Sequence, residues 1–206
     1  MAATTPRVRR IALTGGIATG KSYVRARLEK LGVPTIDSDA LAREAVAPGT
    51  SGFSEVVREF GPSVVSPSGE LDRQKLAAIV FSEPRSRRAL EAIIHPRVRE
   101  ATDAWFSSLD PASHPFAVAD IPLLFEVERE KDFDAVIVVA VDPGTQLKRV
   151  VQRDGMSEHE ARKRLQAQLP IDDKVRRADY VIRTDDSLVE TDRQVKRVVE
   201  QLRSVR

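Results

Sequence analysis

The chain has 206 residues, 41% hydrophobic and 31% charged, the make-up of an ordinary soluble globule long enough for one domain with a real core. Its 33 basic and 31 acidic side chains leave a formal net charge of +2, too small a surplus to mark a nucleic-acid surface. There are no cysteines, which excludes disulfides, thiolate metal sites and thiol catalysis and fits a reducing cytoplasm, and no apolar run approaches the roughly 18 residues of a membrane span.

Met1-Ala-Ala-Thr-Thr-Pro6 reads as a mobile tail, and Met1 to Arg9 lacks the apolar segment of a signal peptide. A first strand is expected over about Arg10 to Thr14. It breaks into Gly15-x-x-x-x-Gly20-Lys21-Ser22, the phosphate-binding P-loop pattern, and then into a helix over Lys21 to Leu31. The glycines let successive backbone N–H groups turn onto phosphate oxygens at the positive end of that helix. Lys21 is placed to reach the β and γ phosphates, and the Ser22 hydroxyl to hold Mg²⁺. Gly32 ends the helix, and Val33 to Ile36 forms a short second strand that runs into Asp37-Ser-Asp39 at the ligand-binding edge of an open α/β sheet.

From Ala40 to about Pro115 helix signals dominate. Phe53, Val56, Val57 and Phe60 make one stripe closed by Gly61-Pro62; Leu76, Ile79 and Val80 make another after an Asp72 cap. A helix from Pro84 carries Leu90, Ile93 and Ile94, and a separate one after Pro96 carries Val98, Trp105, Phe106 and Leu109. Gly61 to Leu71 reads as an exposed loop. A third strand, Phe116 to Asp120, and a very apolar fourth, Ala135 to Val141, follow. Two charge-rich helices are expected over Pro143 to Asp154 and Ser157 to Gln168, in a cationic run from Lys148 to Arg177 that includes Lys174. A fifth strand over Ala178 to Arg183 and an amphipathic helix over Val189 to Leu202 complete an α/β fold with a parallel sheet and helices on both faces.

Phosphoryl transfer needs a phosphate cradle, a metal ligand, a carboxylate near the acceptor hydroxyl and mobile arginines. If the chain stays extended after the second strand, Asp37 and Asp39 point the same way, one serving as base and the other holding Mg²⁺ through water; alternatively one of them caps the helix that begins near Ala40. Arg43, one turn on, either pairs with Asp39 or binds substrate. Arg149 and Arg153 lie four apart on one helix face and suit phosphate oxygens, unless they belong to an ordinary solvated helix. Asp120 is either a second Mg²⁺-directed acid or a strand-end acid in solvent. His95, before Pro96, is either a substrate contact or a helix-boundary residue, and Trp105 reads as core.

The stretches Leu13-Thr-Gly-Gly-Ile-Ala-Thr-Gly-Lys-Ser22, Ile36-Asp-Ser-Asp-Ala-Leu-Ala-Arg43, Ile94-His-Pro96, Ile121-Pro-Leu-Leu-Phe-Glu126, Gln146-Leu-Lys-Arg149, Gln152-Arg-Asp154, Gln168 and Ala178-Asp-Tyr-Val-Ile182 resemble the dephospho-coenzyme A kinases, in the family's order. The resemblance implies a P-loop kinase fold with a five-stranded parallel sheet flanked by helices: a core of about 8–39 and 116–206, a helical substrate-binding insertion of about 40–115 and a lid of about 143–170. It implies transfer of the ATP γ-phosphoryl group to the ribose 3′-hydroxyl of dephospho-coenzyme A, with Mg²⁺, in the cytoplasm, by a monomer or weak oligomer with no nucleic-acid or membrane partner. The implied catalytic residues are Asp37, Asp39, Lys21, Arg149 and Arg153. The nucleotide is implied to lie on Gly15, Gly16, Ile17, Ala18, Thr19, Gly20, Lys21, Ser22 and Tyr23, the metal on Ser22, and the acceptor on Asp39, Arg43, His95 and Leu123.

Three departures from that pattern stand out. Ala18 replaces a usual glycine, Tyr23 replaces a small hydroxyl residue, and Arg-Thr-Asp-Asp-Ser187 replaces an Asp-Asn followed by glycine near the expected adenine site. Kinases of shikimate or of a nucleoside monophosphate are an alternative, since many families share the P-loop and shikimate kinases have a similar Asp-x-Asp, but the long insertion and the lack of a Gly-Gly-Gly run argue against shikimate. A nucleotide-hydrolysing switch is the other alternative, and the missing Asn-Lys-x-Asp argues against a GTPase.

Overall fold

The structure, a computed structural model, describes residues 7–205, so the tail expected over Met1 to Pro6 lies outside the described residues. The chain runs β1 (Arg9–Gly15), α1 (Lys21–Lys30), β2 (Thr35–Asp37), α2 (Ser38–Glu44), α3 (Ser51–Phe60), α4 (Arg73–Ser82) and α5 (Pro84–Ser108). It continues with β3 (Phe116–Asp120), β4 (Ala135–Ala140), α6 (Pro143–Asp154), α7 (Glu158–Gln166), α8 (Ile171–Arg176), β5 (Tyr180–Arg183) and α9 (Leu188–Ser204). The strands form one five-stranded sheet in the order β2-β3-β1-β4-β5, the parallel α/β arrangement that the alternation of strands and helices predicts.

Every residue of β3 and β4 is buried, as expected of parallel strands covered on both faces. Val24 and Leu28 of α1 and Val195 and Leu202 of α9 share one apolar cluster with Leu13 and Ile137 of the sheet. Register places Leu13 of β1 opposite Asp120 of β3, and Gly15 opposite Val139 of β4. The carboxyl ends of the three inner strands therefore stand side by side, and β1 delivers the glycine loop between the other two.

The described residues form two compact units, 7–36 with 106–205, and Asp37–Trp105. The second is narrower than the insertion of 40–115 that the sequence suggests. Phe106 belongs with the sheet because its ring lies under the Arg10 guanidinium, 4.8 Å from ring centre to charge, and packs edge-on against Phe133. In the Asp37–Trp105 unit, Val46, Val56, Val64 and Leu76 form the core, with Phe60 and Leu90 against it.

Three sequence-based expectations change here. Pro96 does not separate two helices: α5 runs through it, and the Arg97 guanidinium donates to the Ile93 carbonyl at 2.6 Å on the turn that proline disturbs, while also bonding Glu55 of α3. Gly61 to Leu71 is not simply exposed; it makes a 3-10 turn over Pro62–Val64 and a Val65–Leu71 bridge, with Val64 fully buried. The short helix α8 has no counterpart in the sequence reading.

Asp134, just before β4, staples the start of that strand to the start of β1. Its carboxylate accepts from Arg7 Nη1 and from the Arg10 amide, each at 2.7 Å. The Arg7 hydrogen bond holds this carboxyl below the usual aspartate range. A lowered native pKa contributes stability above the ordinary aspartate range, and that stability is lost as pH falls through the native value. The Asp134→Asn variant should therefore melt below wild type at neutral pH, with the gap closing below about pH 4 in thermal denaturation scans.

Candidate functional site

The loop from Gly15 to Gly20 is shaped from three sides. Gly20 adopts φ 86°, a left-handed conformation suited to glycine, and hands the chain to α1 with no side-chain cap. By contrast α2, α3, α4, α6, α7 and α9 are each capped by an Asp, Ser or Thr side chain. An uncapped helix start presents orphan N–H donors and the positive end of the helix dipole, the combination that phosphate binds. Ala18, where glycine is usual, takes φ 58°, so alanine adopts the left-handed conformation at a cost of about 1 kcal/mol.

Glutamines hold both backbone groups of Ile17. Gln146 Nε2 donates to its carbonyl at 2.8 Å, and its N–H donates to Gln168 Oε1 at 3.0 Å. A side chain on Gly16 would collide with Gln146, since a Cβ built there stands 2.4 Å from Nε2. Thr19 is buried; its hydroxyl donates to the Gly16 carbonyl at 2.9 Å, and its own carbonyl accepts from the Thr184 hydroxyl at 2.8 Å.

Lys21 reaches across to Asp120 at the end of β3, and Arg25 of α1 approaches the other carboxylate oxygen at 3.4 Å. Asp120 is only 3% exposed, so it is not the solvated strand-end acid considered from the sequence; it is a buried anion facing two cations. This pairing holds the Lys21 ammonium beside the loop. Ser22 is exposed on the first turn of α1. Tyr23 turns its hydroxyl to Asp192 of α9 at 2.8 Å; that hydroxyl, with Arg27, lowers the Asp192 pKa.

Arg149 and Arg153, one turn apart on α6, have different partners. Arg149 donates to the Thr184 hydroxyl and carbonyl at 2.9 and 2.6 Å, which ties it to the residue that anchors Thr19. Arg153 pairs with Asp154 at 2.7 Å, and Arg164 of α7 joins the same carboxylate at 2.9 Å. The Arg153 hydrogen bond is the leading cause of a lowered Asp154 pKa. Leu123, in the turns after β3, is 43% exposed.

In the Asp37–Trp105 unit the acidic pair divides. The chain does not stay extended: α2 begins at Ser38, and Asp37 caps it, with Oδ1 accepting from the Asp39 and Ala40 amides at 2.8 and 3.3 Å. The two carboxylates consequently do not share one face of a strand, and the capping alternative describes Asp37. Asp39 and Arg43 instead line a cavity of about 360 Å³, walled by apolar Leu71, Leu76 and Val80 with Arg73 beside them. His95 is exposed on α5 and is not among the cavity's lining residues.

Sequence reasoning missed one buried group altogether. Lys174 is fully buried, not part of a solvated cationic run, and pairs with Glu126 at 2.7 Å. The available signal was positional: Ile171, Lys174 and Val175 fall on one face of a helical turn, so a lysine stands where the period calls for an apolar residue.

The profile of the family described as dephospho-CoA kinase matches residues 9–190. The chain is 50% identical to the dephospho-CoA kinase of Anaeromyxobacter dehalogenans over 85% of its own length and 83% of the relative's. A crystal structure of a Thermus thermophilus protein superposes with a TM-score of 0.81 at 36% identity, covering 95% of this chain and 98% of that one. The dephospho-CoA kinase of Campylobacter jejuni gives 0.73 at 27% identity, over 94% and 96% of the two chains. With its glycine loop, its β3 aspartate and a family profile that spans both compact units, this chain belongs to the dephospho-CoA kinase family.

Proposed function

We propose a division of labour for the family's reaction, ATP-dependent phosphorylation of dephospho-coenzyme A at the ribose 3′-hydroxyl to give coenzyme A and ADP. The sheet unit holds ATP, with the triphosphate on the loop from Gly15 to Tyr23. The Asp37–Trp105 unit holds the acceptor in the cavity lined by Asp39 and Arg43. The observation that carries this is the uncapped start of α1 with Lys21 held beside it on a buried carboxylate. Phosphate oxygens draw the Lys21 ammonium from Asp120, where it neutralises charge that builds on the β–γ bridging oxygen.

The acceptor oxygen attacks the γ phosphorus, its proton passes to the Asp39 carboxylate, and the bridging oxygen leaves on ADP. Asp37 supports this through the α2 cap, which fixes the Asp39 backbone. Arg149 leaves Thr184 for the transferring phosphoryl group, joined by Arg153 after it releases Asp154; the segment 143–170 thus acts as a lid. His95 and Leu123 are assigned to the acceptor's outer contacts. The donors fit Mg²⁺, since Ser22 and Asp120 offer the hard oxygen ligands that this ion takes. The Ser22 hydroxyl would hold Mg²⁺, which would supply neutralisation of the triphosphate charge.

Neither alternative is favoured, because the family profile covers most of the chain and shikimate kinase from Acinetobacter baumannii shares only the fold, at 18% identity. The setting this reading assigns is cytoplasmic, for a monomer or weak oligomer acting on small molecules. ADP release in the presence of ATP and Mg²⁺ tests it: the rate should rise steeply when dephospho-coenzyme A is added, and a rate indifferent to the acceptor would reject it.

Lys21→Ala should lower kcat/KM by about a hundredfold or more with the circular dichroism spectrum unchanged. Asp39→Asn should lower kcat by about a hundredfold or more with little change in either KM. Asp37→Asn, which keeps a capping oxygen, should retain most of its kcat, whereas Asp37→Ala should lose about 1 kcal/mol of stability in urea titrations.

A further inference from the structure

Lys174 has no part in the scheme above, yet it heads the fully buried side chains by size. Its ammonium lies 2.7 Å from Glu126 Oε1 and 3.3 Å from the carbonyl oxygen of Gly15, the first residue of the glycine loop. The same Glu126 oxygen accepts from the Leu169 amide at 3.0 Å. Leu169 directly follows Gln168, which holds the Ile17 amide. One ion pair therefore joins the root of the loop to the segment that leaves α7.

Taking an ammonium out of water is costly, and a pair of apolar side chains can often replace a buried ion pair without loss of stability. Apolar side chains cannot donate to the Gly15 carbonyl, nor hold Glu126 on the Leu169 amide. A peptide is planar and trans, so fixing the Gly15 carbonyl behind the loop also fixes the direction of the Gly16 N–H. Glu126 Oε2 is buried without a hydrogen-bond partner, so the carboxylate is held through Oε1 alone. If Lys174 is lost, Leu169 is the remaining anchor of that oxygen.

We propose that Lys174 is a positioning residue for nucleotide binding: it sets the first peptide of the phosphate loop and, through Glu126, ties it to the α7 exit that carries Gln168. The ion pair is neutral overall and adds no bulk attraction for ATP, so its effect is geometric. The inference rests on ATP lying on this loop, which the Lys21 variant tests separately.

The test is steady-state kinetics of Lys174→Met, with ATP and dephospho-coenzyme A varied in turn and folding followed by circular dichroism. KM for ATP should rise about tenfold while KM for dephospho-coenzyme A stays within about twofold. The Lys174→Met, Glu126→Gln double variant separates positioning from charge balance. It leaves no lone buried charge but still lacks the donor to Gly15, so its ATP KM should stay raised; where the single variant does not fold, the double variant decides. An ATP KM within about twofold of wild type in the folded single variant, or its recovery in the double variant, would overturn the proposal. Failure of both to fold would assign Lys174 to the fold alone and overturn it equally.

Discussion

A helix whose first turn lacks a side-chain cap must find partners for its amides elsewhere, and that demand at the start of α1 organises the sheet unit. To leave those donors available, the preceding loop must hold its shape without using them. The fold achieves this by bracing the loop from behind: Gln146 and Gln168 take both polar groups of Ile17, Thr184 takes the Thr19 carbonyl, and Lys174 takes that of Gly15. All four braces lie in the chain after β4, from α6 to the residue that follows β5, and β4 pairs directly with β1 in the sheet, which is what brings them to the loop.

The sequence was most legible where one physical rule governs. The β3 and β4 runs are apolar because both faces are covered, and Gly15 to Ser22 is legible because phosphate binding admits few residues at four of its positions. It was least legible where tertiary contacts override a local rule. Pro96 is a helix boundary by local sterics, yet Arg97 supplies a donor on the disturbed turn and α5 continues. Asp37 and Asp39 look equivalent as letters two apart, and only the helix that begins at Ser38 separates a capping oxygen from a carboxylate that lines a cavity. Lys174 reads as one cation among many, because burial of an ammonium depends on Glu126, 48 positions earlier in the chain.

The charge pattern of the site follows the same logic. The cations that the proposed mechanism uses are each kept on a short contact that a phosphate could replace: Lys21 on Asp120, Arg149 on Thr184, Arg153 on Asp154. Asp120 is held between Lys21 and Arg25, so a lysine drawn toward phosphate leaves the carboxylate one cation rather than none. Burying an anion alone is far more costly than burying it paired, so that second partner lowers the barrier to releasing the first.

The Thr184 hydroxyl has one proton and two lone pairs, and its single proton is committed to the Thr19 carbonyl while a lone pair receives Arg149. The two contacts use different parts of the oxygen, so severing one leaves the other whole. If Arg149 departs as the proposed lid motion requires, the same oxygen keeps its grip on the glycine turn, which would separate a moving part of the molecule from its fixed frame.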